Sequence, residues 1–225
     1  KGLDLISVRS GSRRQWSEKE KNMSEEMATG MAVCHTLTRF KDSGEFVGNP
    51  VDRVMFEASG AMMGTQGNTN KNGKKVAFVK HFDFDYHRMT QSVVVRNSDN
   101  SLTAYVKGSG ENIKKVCSQE TVPSDFDSIL RDSARQGIYQ ISMACKNIDA
   151  DTDLQRLTRD EVESNLSFVG VINFKNTLRE DSPSVIRQLK EGEVQSIIVT
   201  GDSILTGICI GKESGILSEN CPVLV

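Results

Sequence analysis

Three strand-like segments follow one another closely: Lys75 to Phe82, Ser92 to Arg96 and Leu102 to Lys107. Each alternates apolar with polar residues or is crowded with Val, which is the pattern of a strand. The last two are joined by a short stretch centred on Asp99-Asn100, a turn pair. So short a link makes a hairpin, because parallel neighbours need a crossover of about a dozen residues or more. The middle of the chain is therefore expected to be an antiparallel sheet.

Helical periodicity surrounds this sheet. Ser24 is placed to cap a helix with Glu25 and Glu26 in its first turn and Met27, Met31, Cys34 and Leu37 on one face. Asp42-Ser43-Gly44 marks a turn. Asn49-Pro50 opens a second helix, with Val51, Val54, Met55 and Ala58 apolar and Gly60 closing it. Glu111 to Cys117 and Pro123 to Gln136 also read as helical; in the second, Phe126, Ile129, Leu130 and Ala134 point inward and Gly137 is the stop. Thr158 with Glu161 makes a capping box. Further strands are expected around Leu3, Leu5 and Val8, over the alternating Tyr139, Ile141, Met143 and Cys145, and over Leu166 to Phe174. Ser10 to Asn22, which holds Trp16 among Arg13, Arg14 and Lys19, and Gln66 to Lys74 read as loops.

After Asn176 the pattern changes. Ser182-Pro183 starts a helix carrying Val185, Ile186 and Leu189; Ile197 to Val199 is a short, wholly apolar strand; Ser203 to Glu213 is a helix. This alternation of strand and helix belongs to a parallel sheet covered on both faces. The expected class is α/β: a mainly antiparallel sheet with flanking helices, plus a partial doubly wound piece.

Bulk properties exclude several functions. The 225 residues carry 28 Lys and Arg against 30 Asp and Glu, so no broad pull toward nucleic acid is expected. Five scattered cysteines without a Cys-x-x-Cys argue against a disulfide framework or a thiolate zinc site. No apolar stretch approaches the ~20 residues of a membrane helix. Lys1 to Arg9 reads as a strand and not as a leader peptide.

Four segments carry the chemistry. Gly48-Asn49-Pro50-Val51-Asp52 opens a helix, and Phe82-Asp83-Phe84 closes a strand. Lys107-Gly108-Ser109-Gly110-Glu111 joins a strand to a helix, and Thr200-Gly201-Asp202 follows the apolar strand. A lysine beside glycines can approach a polyphosphate closely. An exposed phenylalanine can stack on a base, and ligands bind at strand ends of open parallel sheets. In this order and spacing the segments resemble the nucleotide-binding domain of P-type ATPases. Lys107 to Glu111 is similar to that family's KGAPE segment, and Thr200 to Asp202 to its TGD motif. Cys34-His35-Thr36-Leu37, Gly48 to Asp52, Met55-Phe56-Glu57, Phe82 to Phe84 and Gly2-Leu3-Asp4-Leu5 resemble the class-five transporters, the last its second subgroup.

The resemblance implies residues 1–8 as a phosphorylation-domain or hinge segment, 9–176 as the nucleotide-binding domain and 177–225 as part of a haloacid-dehalogenase-like phosphorylation domain. It implies that Phe84 stacks on adenine, that Asp52 approaches its amino group and that Lys107 and Gly108 line the pocket floor. Thr200 and Gly201 would meet the terminal phosphate, and Asp202 would order that corner. The family's phosphorylated aspartate and its Mg²⁺-binding segment are expected outside the chain, before Lys1 and beyond Val225. No catalytic residue and no metal ligand are therefore assigned here. ATP and Mg²⁺ are the implied cofactors. The remaining phosphorylation, actuator and membrane domains are the implied partners, at the cytosolic face of a membrane such as an endolysosomal or vacuolar one, with cation or polyamine export as the associated activity. The sequence departs from the family at Met89 and Tyr139, where basic residues are common, at Gly110 in place of proline and at Ser203 in place of asparagine.

Plainer readings stand beside these. Asp52 also suits the first turn of a helix, and Asp202 also suits a helix cap. Parity along a regular strand puts Lys80, Phe82 and Phe84 on one face. His81, His87, Asp83 and Asp85 have metal-ligating chemistry, but alternation brings the histidine and the aspartates together only if the strand stays regular, and no fourth ligand set is evident beside them. A non-catalytic nucleotide-sensing or interaction module, favoured by Met89, Tyr139 and Gly110, is the alternative function. The other class-five subgroup is a further alternative. A soluble phosphatase would need an Asp-x-Asp nucleophile where a strand leads into a helix; Asp83-Phe84-Asp85 follows a strand but lacks that βα context, and Asp151-Thr152-Asp153 lies in a polar stretch.

Overall fold

The structure, a computed structural model, describes residues 3–10, 23–64, 67–69, 72–201, 203–218, 220 and 222–223. In chain order the elements are β1 (Leu3–Ser10), α1 (Glu25–Val33), β2 (Thr38–Arg39), β3 (Phe46–Val47), α2 (Pro50–Ser59), β4 (Met62–Met63), β5 (Gly67–Thr69) and β6 (Lys75–Asp85). They continue with β7 (Thr90–Arg96), β8 (Leu102–Gly108), α3 (Gly110–Val116), α4 (Phe126–Arg135), β9 (Ile138–Ile148), α5 (Arg159–Val162), β10 (Ser167–Asn176), α6 (Ser182–Glu191) and α7 (Ile204–Glu213). Eight strands form one sheet in the order β1-β10-β9-β8-β7-β6-β5-β4, antiparallel from β4 through β9.

The chain divides into two compact units. The larger comprises Ser7–Ser124 and Ile141–Ile172. Its centre is the β7–β8 hairpin, which turns at Asn97 to Ser101 with Asn100 in the left-handed region, as Asp99-Asn100 predicts. Both strands are buried on both faces. On one face Ala32 and Val33 of α1 and its capping residue Cys34 pack against Val93, Val95 and Tyr105. On the other, Val94, Ala104, Val106 and Ala144 are buried. Fully burying one of these valines stabilises by roughly 1.5–3 kcal/mol.

The predicted caps form. Ser24 Oγ accepts from the Met27 amide at 3.1 Å, and Asn49 Oδ1 from the Val51 amide at 2.9 Å. Gly60 closes α2 in the left-handed region, and Thr158 and Glu161 complete their capping box. Part of the expected 66–74 loop is instead the short strand β5, whose Asn68 is buried and donates to the Ala32 carbonyl at 2.5 Å. A polar composition does not prevent edge pairing when a backbone partner and a buried acceptor are both within reach. The small β2–β3 hairpin around the predicted turn is likewise an addition. The expected 11–22 loop, with Trp16, lies outside the described residues.

The smaller unit comprises Lys1–Ile6, Asp125–Gln140 and Asn173–Val225. Within it α4 packs on α7, where a side chain at Gly137 would meet Cys209 Sγ at 3.1 Å. The helices form as expected, but the segment Ile197 to Val199 is not a strand, and its two end residues, Ile197 and Val199, are strongly exposed. An apolar strand of a parallel sheet is held by hydrogen-bonded neighbours on either side, and among the described residues none pairs with this segment.

One close approach is decisive for the sheet. A Cβ on Gly170 would lie 2.0 Å from the Arg9 carbonyl oxygen and 2.7 Å from Met27 Cε. Gly170→Ala should lower stability by roughly 1–3 kcal/mol, read as a fall in Tm; an unchanged Tm would show that β1 and β10 do not pack this tightly in solution.

Candidate nucleotide site

The register of β6 against β7 decides where its aromatic residues point. Phe82 pairs with Ser92, but Asp85 pairs with Thr90, so three steps on β6 match two on β7. This is a β-bulge, and it breaks the alternation once. Thr90 and Ser92 both face Glu163, to which they donate at 3.0 and 2.8 Å. Gln91, between them, faces the opposite side, which it shares with its cross-strand partner Lys107. Asp85 lies on the Thr90 side and its neighbour Phe84 on the Lys107 side. The parity that groups Phe84 with Lys80 and Phe82 is therefore wrong. Phe82 stays with Lys80, whose Nζ is 5.6 Å from its ring centroid, while Phe84 crosses the sheet. Phe84 is 43% exposed and meets Tyr86 edge-on at 5.2 Å.

Lys107 and Asp52 form a buried ion pair on this same face, each about 5% exposed or less. Asp52 stands in the first turn of α2, where the helix dipole favours a carboxylate. A buried pair contributes little net stability, but removing one member leaves an uncompensated charge. Gly108 has a structural requirement of its own: a Cβ there would lie 2.3 Å from the Met89 carbonyl oxygen. That carbonyl accepts from the Ser109 amide at 3.2 Å, and Met89 has a φ of 54°. The Met89 departure thus sits at the tight turn between β6 and β7, against the lysine–glycine segment.

The Cys34-His35-Thr36-Leu37 motif lies under the ion pair. Cys34 Sγ donates to the Gln91 carbonyl at 3.4 Å, and burial pushes its thiol up to about 12 against the opposing pull of Lys107. His35 Nδ1 accepts from the Leu37 amide at 3.2 Å, so Nε2 carries the proton and donates to the Ala32 carbonyl at 2.8 Å. Its ring packs edge-on against Phe56 of α2 at 5.2 Å. Leu37 in turn meets Gly48, where a Cβ would lie 2.8 Å from Leu37 Cδ2. The Cys34 to Leu37 motif thus braces α2, which carries Asp52, at its start through Leu37 and Gly48 and further along through His35 and Phe56.

Thr200 and Gly201 belong to the smaller unit, with Gly201 exposed and open space around its Cα; Asp202 lies outside the described residues. Tyr139 is in that unit as well, 6.1 Å from Phe174. His81 pairs with Val93 on the Lys107 face, whereas Asp85 faces the other side and accepts from the His87 and Arg88 amides at 2.8 and 3.1 Å. The bulge thus separates the residues that invite a metal, and the described residues hold no cluster of three ligating side chains. A cleft lined by Glu25, Lys74, Asn97 and Asp99 opens at the opposite end of the β7–β8 hairpin. It contains an exposed Lys74–Glu25 pair at 2.8 Å and none of the motif residues.

Sequence reasoning missed Arg159 and Glu163, which contact the bulge from behind. The available signal was Thr90 and Ser92, two hydroxyls at one parity of an otherwise valine-rich strand.

A family model for the P-type ATPase cytoplasmic domain N matches residues 22–181. The chain belongs to the P-type ATPases. Similar curated proteins include the polyamine-transporting ATPase 13A3 of Homo sapiens, 28% identical over all of this chain and 22% of its own length. The probable cation-transporting ATPase 13A4 of Gallus gallus is 31% identical over 87% of this chain and 18% of its own. The vacuolar cation-transporting ATPase YPK9 of Saccharomyces cerevisiae is 36% identical over 62% of this chain and 10% of its own. These are class-five P-type ATPases, the class that the motifs resemble. The chain spans about a fifth of the length of the first of these relatives.

Two predictions follow from the buried groups of this P-type ATPase segment. Lys107→Met should destabilise by roughly 3–5 kcal/mol, and adding Asp52→Leu should recover most of the loss; urea unfolding of the single and double variants checks this. Burial holds His35 at about 4, below its ordinary 6.5. The unfolded state therefore binds the proton first, and stability present above pH 6.5 falls as the pH drops toward 4, by about 3 kcal/mol in all. His81 is lowered by burial in the same direction. His35→Gln should flatten this part of the stability–pH profile, measured by thermal melts between pH 7 and 4.

Proposed function

We propose that this segment binds ATP and positions it for phosphoryl transfer to an aspartate elsewhere in the parent protein. The observation that carries this is the bulge in β6, which sets exposed Phe84 on the same sheet face as Lys107 and Asp52. Adenine would stack on Phe84, its amino group would approach Asp52, and Lys107 with Gly108 would form the floor. The family's DKTGT segment, which carries the aspartate that takes the phosphate, is not among the 225 residues. Thr200, Gly201 and Asp202 would meet the terminal phosphate on closure. Mg²⁺, when bound, neutralises the phosphate charge; it would arrive with the nucleotide and find its protein ligands outside this chain.

The domain division follows the same proposal: 9–176 holds the nucleotide, while 1–8 and 177–225 belong to the phosphorylation domain. The parent would be a membrane-embedded transport ATPase of the second class-five subgroup, moving cations or polyamines with this segment on the cytosolic side, and its actuator, phosphorylation and membrane domains would be the partners. The names of the relatives, one of them vacuolar, support that assignment.

The engagement of Lys107 by Asp52 favours a second reading, a nucleotide-sensing module that binds weakly and does not support turnover. Titration with ATP, followed by amide chemical shifts, decides between binding and no binding. ATP should shift resonances of Phe84 and of the Lys107 segment. Phe84→Ala should weaken affinity by about 5- to 100-fold, the worth of one base–aromatic stack. No response at millimolar ATP would overturn the proposal.

A further inference from the structure

The bulge that carries Phe84 across the sheet is gripped from the opposite face. Arg159, the first residue of α5, donates through Nη1 to the Asp83 carbonyl at 2.9 Å and through Nη2 to the Thr90 carbonyl at 2.7 Å. These carbonyls flank the irregularity. Asp83 lies within the extra step on β6, and Thr90 is the residue at which pairing resumes. The third arm of the guanidinium, Nε, donates to Glu163 Oε1 at 2.9 Å. The Glu163 side chain is 1% exposed and also accepts from the Ser92 and Thr90 hydroxyls. Arg88 adds a cation 3.7 Å from Glu163 Oε2 and itself pairs with Asp160 at 2.5 Å.

A half-buried arginine on a buried glutamate is a poor source of stability, since well-packed apolar side chains fill such a space as favourably. What the planar fork supplies is direction. It fixes two backbone carbonyls at set angles, which the point charge of a lysine cannot do. A register slip of one residue on β6 would return Phe84 to the Glu163 face. The clamp opposes that slip, because the slipped strand would move the Asp83 carbonyl away from Nη1.

We infer that Arg159 and Glu163 are positioning residues for the nucleotide site: they lock the β6 bulge in the register that presents Phe84 beside Lys107. This rests on Phe84 being the platform for the base. The hydroxyls of Thr90 and Ser92 complete the device by seating the carboxylate that orients the fork.

The test uses this chain, with ATP as the probe and calorimetry as the readout, in a double-mutant cycle of Arg159→Met with Phe84→Ala. Each variant is first checked for a cooperative thermal transition. In the wild-type background Arg159→Met should weaken ATP binding about tenfold, within what one base–aromatic stack supplies. In the Phe84→Ala background it should cause no further loss, because both changes remove the same contact. Arg159→Lys should behave like Arg159→Met. The contact between the Phe84 and Tyr86 rings, followed by NMR, should also be lost in Arg159→Met. Should that variant fail to fold, Glu163→Gln, which keeps the shape and the hydroxyl contacts, takes its place in the same cycle. A folded variant with wild-type ATP affinity, an equal loss in both backgrounds, or an intact ring contact overturns the clamp. If Phe84→Ala alone leaves affinity unchanged, the base-stacking reading falls first and the clamp's role falls with it.

Discussion

A charge moved out of water must be answered by another, and the pair formed by Lys107 and Asp52 sets the terms for the rest of the larger unit. Lys107 comes from the end of the most buried strand, and Asp52 from the first turn of a helix 55 residues earlier in the chain. For the two to meet, α2 must be held by its beginning. The Asn49 cap and the fit of Gly48 on Leu37 act on that end, and the ring contact of His35 with Phe56 steadies the helix about one turn beyond Asp52. The otherwise unremarkable Cys34 to Leu37 turn is thereby explained, since its hydrogen bonds hold the surface on which α2 rests.

The second constraint is that the β7–β8 hairpin is covered on both faces, so each face can have its own task. One is lined by α1, α2 and the ion pair and carries Phe84 at its exposed margin. The other holds Glu163 with its hydroxyl and guanidinium partners. The bulge in β6 is the point where the two communicate: its backbone is gripped from one face while its aromatic side chain is delivered to the other.

Much of the fold was legible residue by residue. Ser24, Asn49, Gly60 and Thr158 sit where caps are needed, and the strand-like runs on either side of Asp99-Asn100 form the expected hairpin. These signals are local: each residue acts within a few positions of itself. The Ile197 to Val199 segment misled because its apolar character reports only that the residues suit a strand, and not whether hydrogen-bonded neighbours stand on either side. Gly67 to Thr69 misled in the other direction, since a strand there depends on backbone pairing with β6 and not on its own side chains.

The sequence by itself determined the class of elements, their order, the family and the motif residues Asp52, Phe84, Lys107 and Gly108, because caps, alternation and ordered motifs are all written along the chain. Only the tertiary structure decided which of those residues face one another. A single extra residue in β6 reverses the side on which Phe84 emerges. Alternation in one strand cannot reveal such a reversal, because a bulge is defined by the pairing of two strands. For the same reason Arg159 and Glu163 stayed silent until the sheet was formed: their partners are carbonyls and hydroxyls roughly seventy residues distant, brought near only when α5 folds back across β6 and β7.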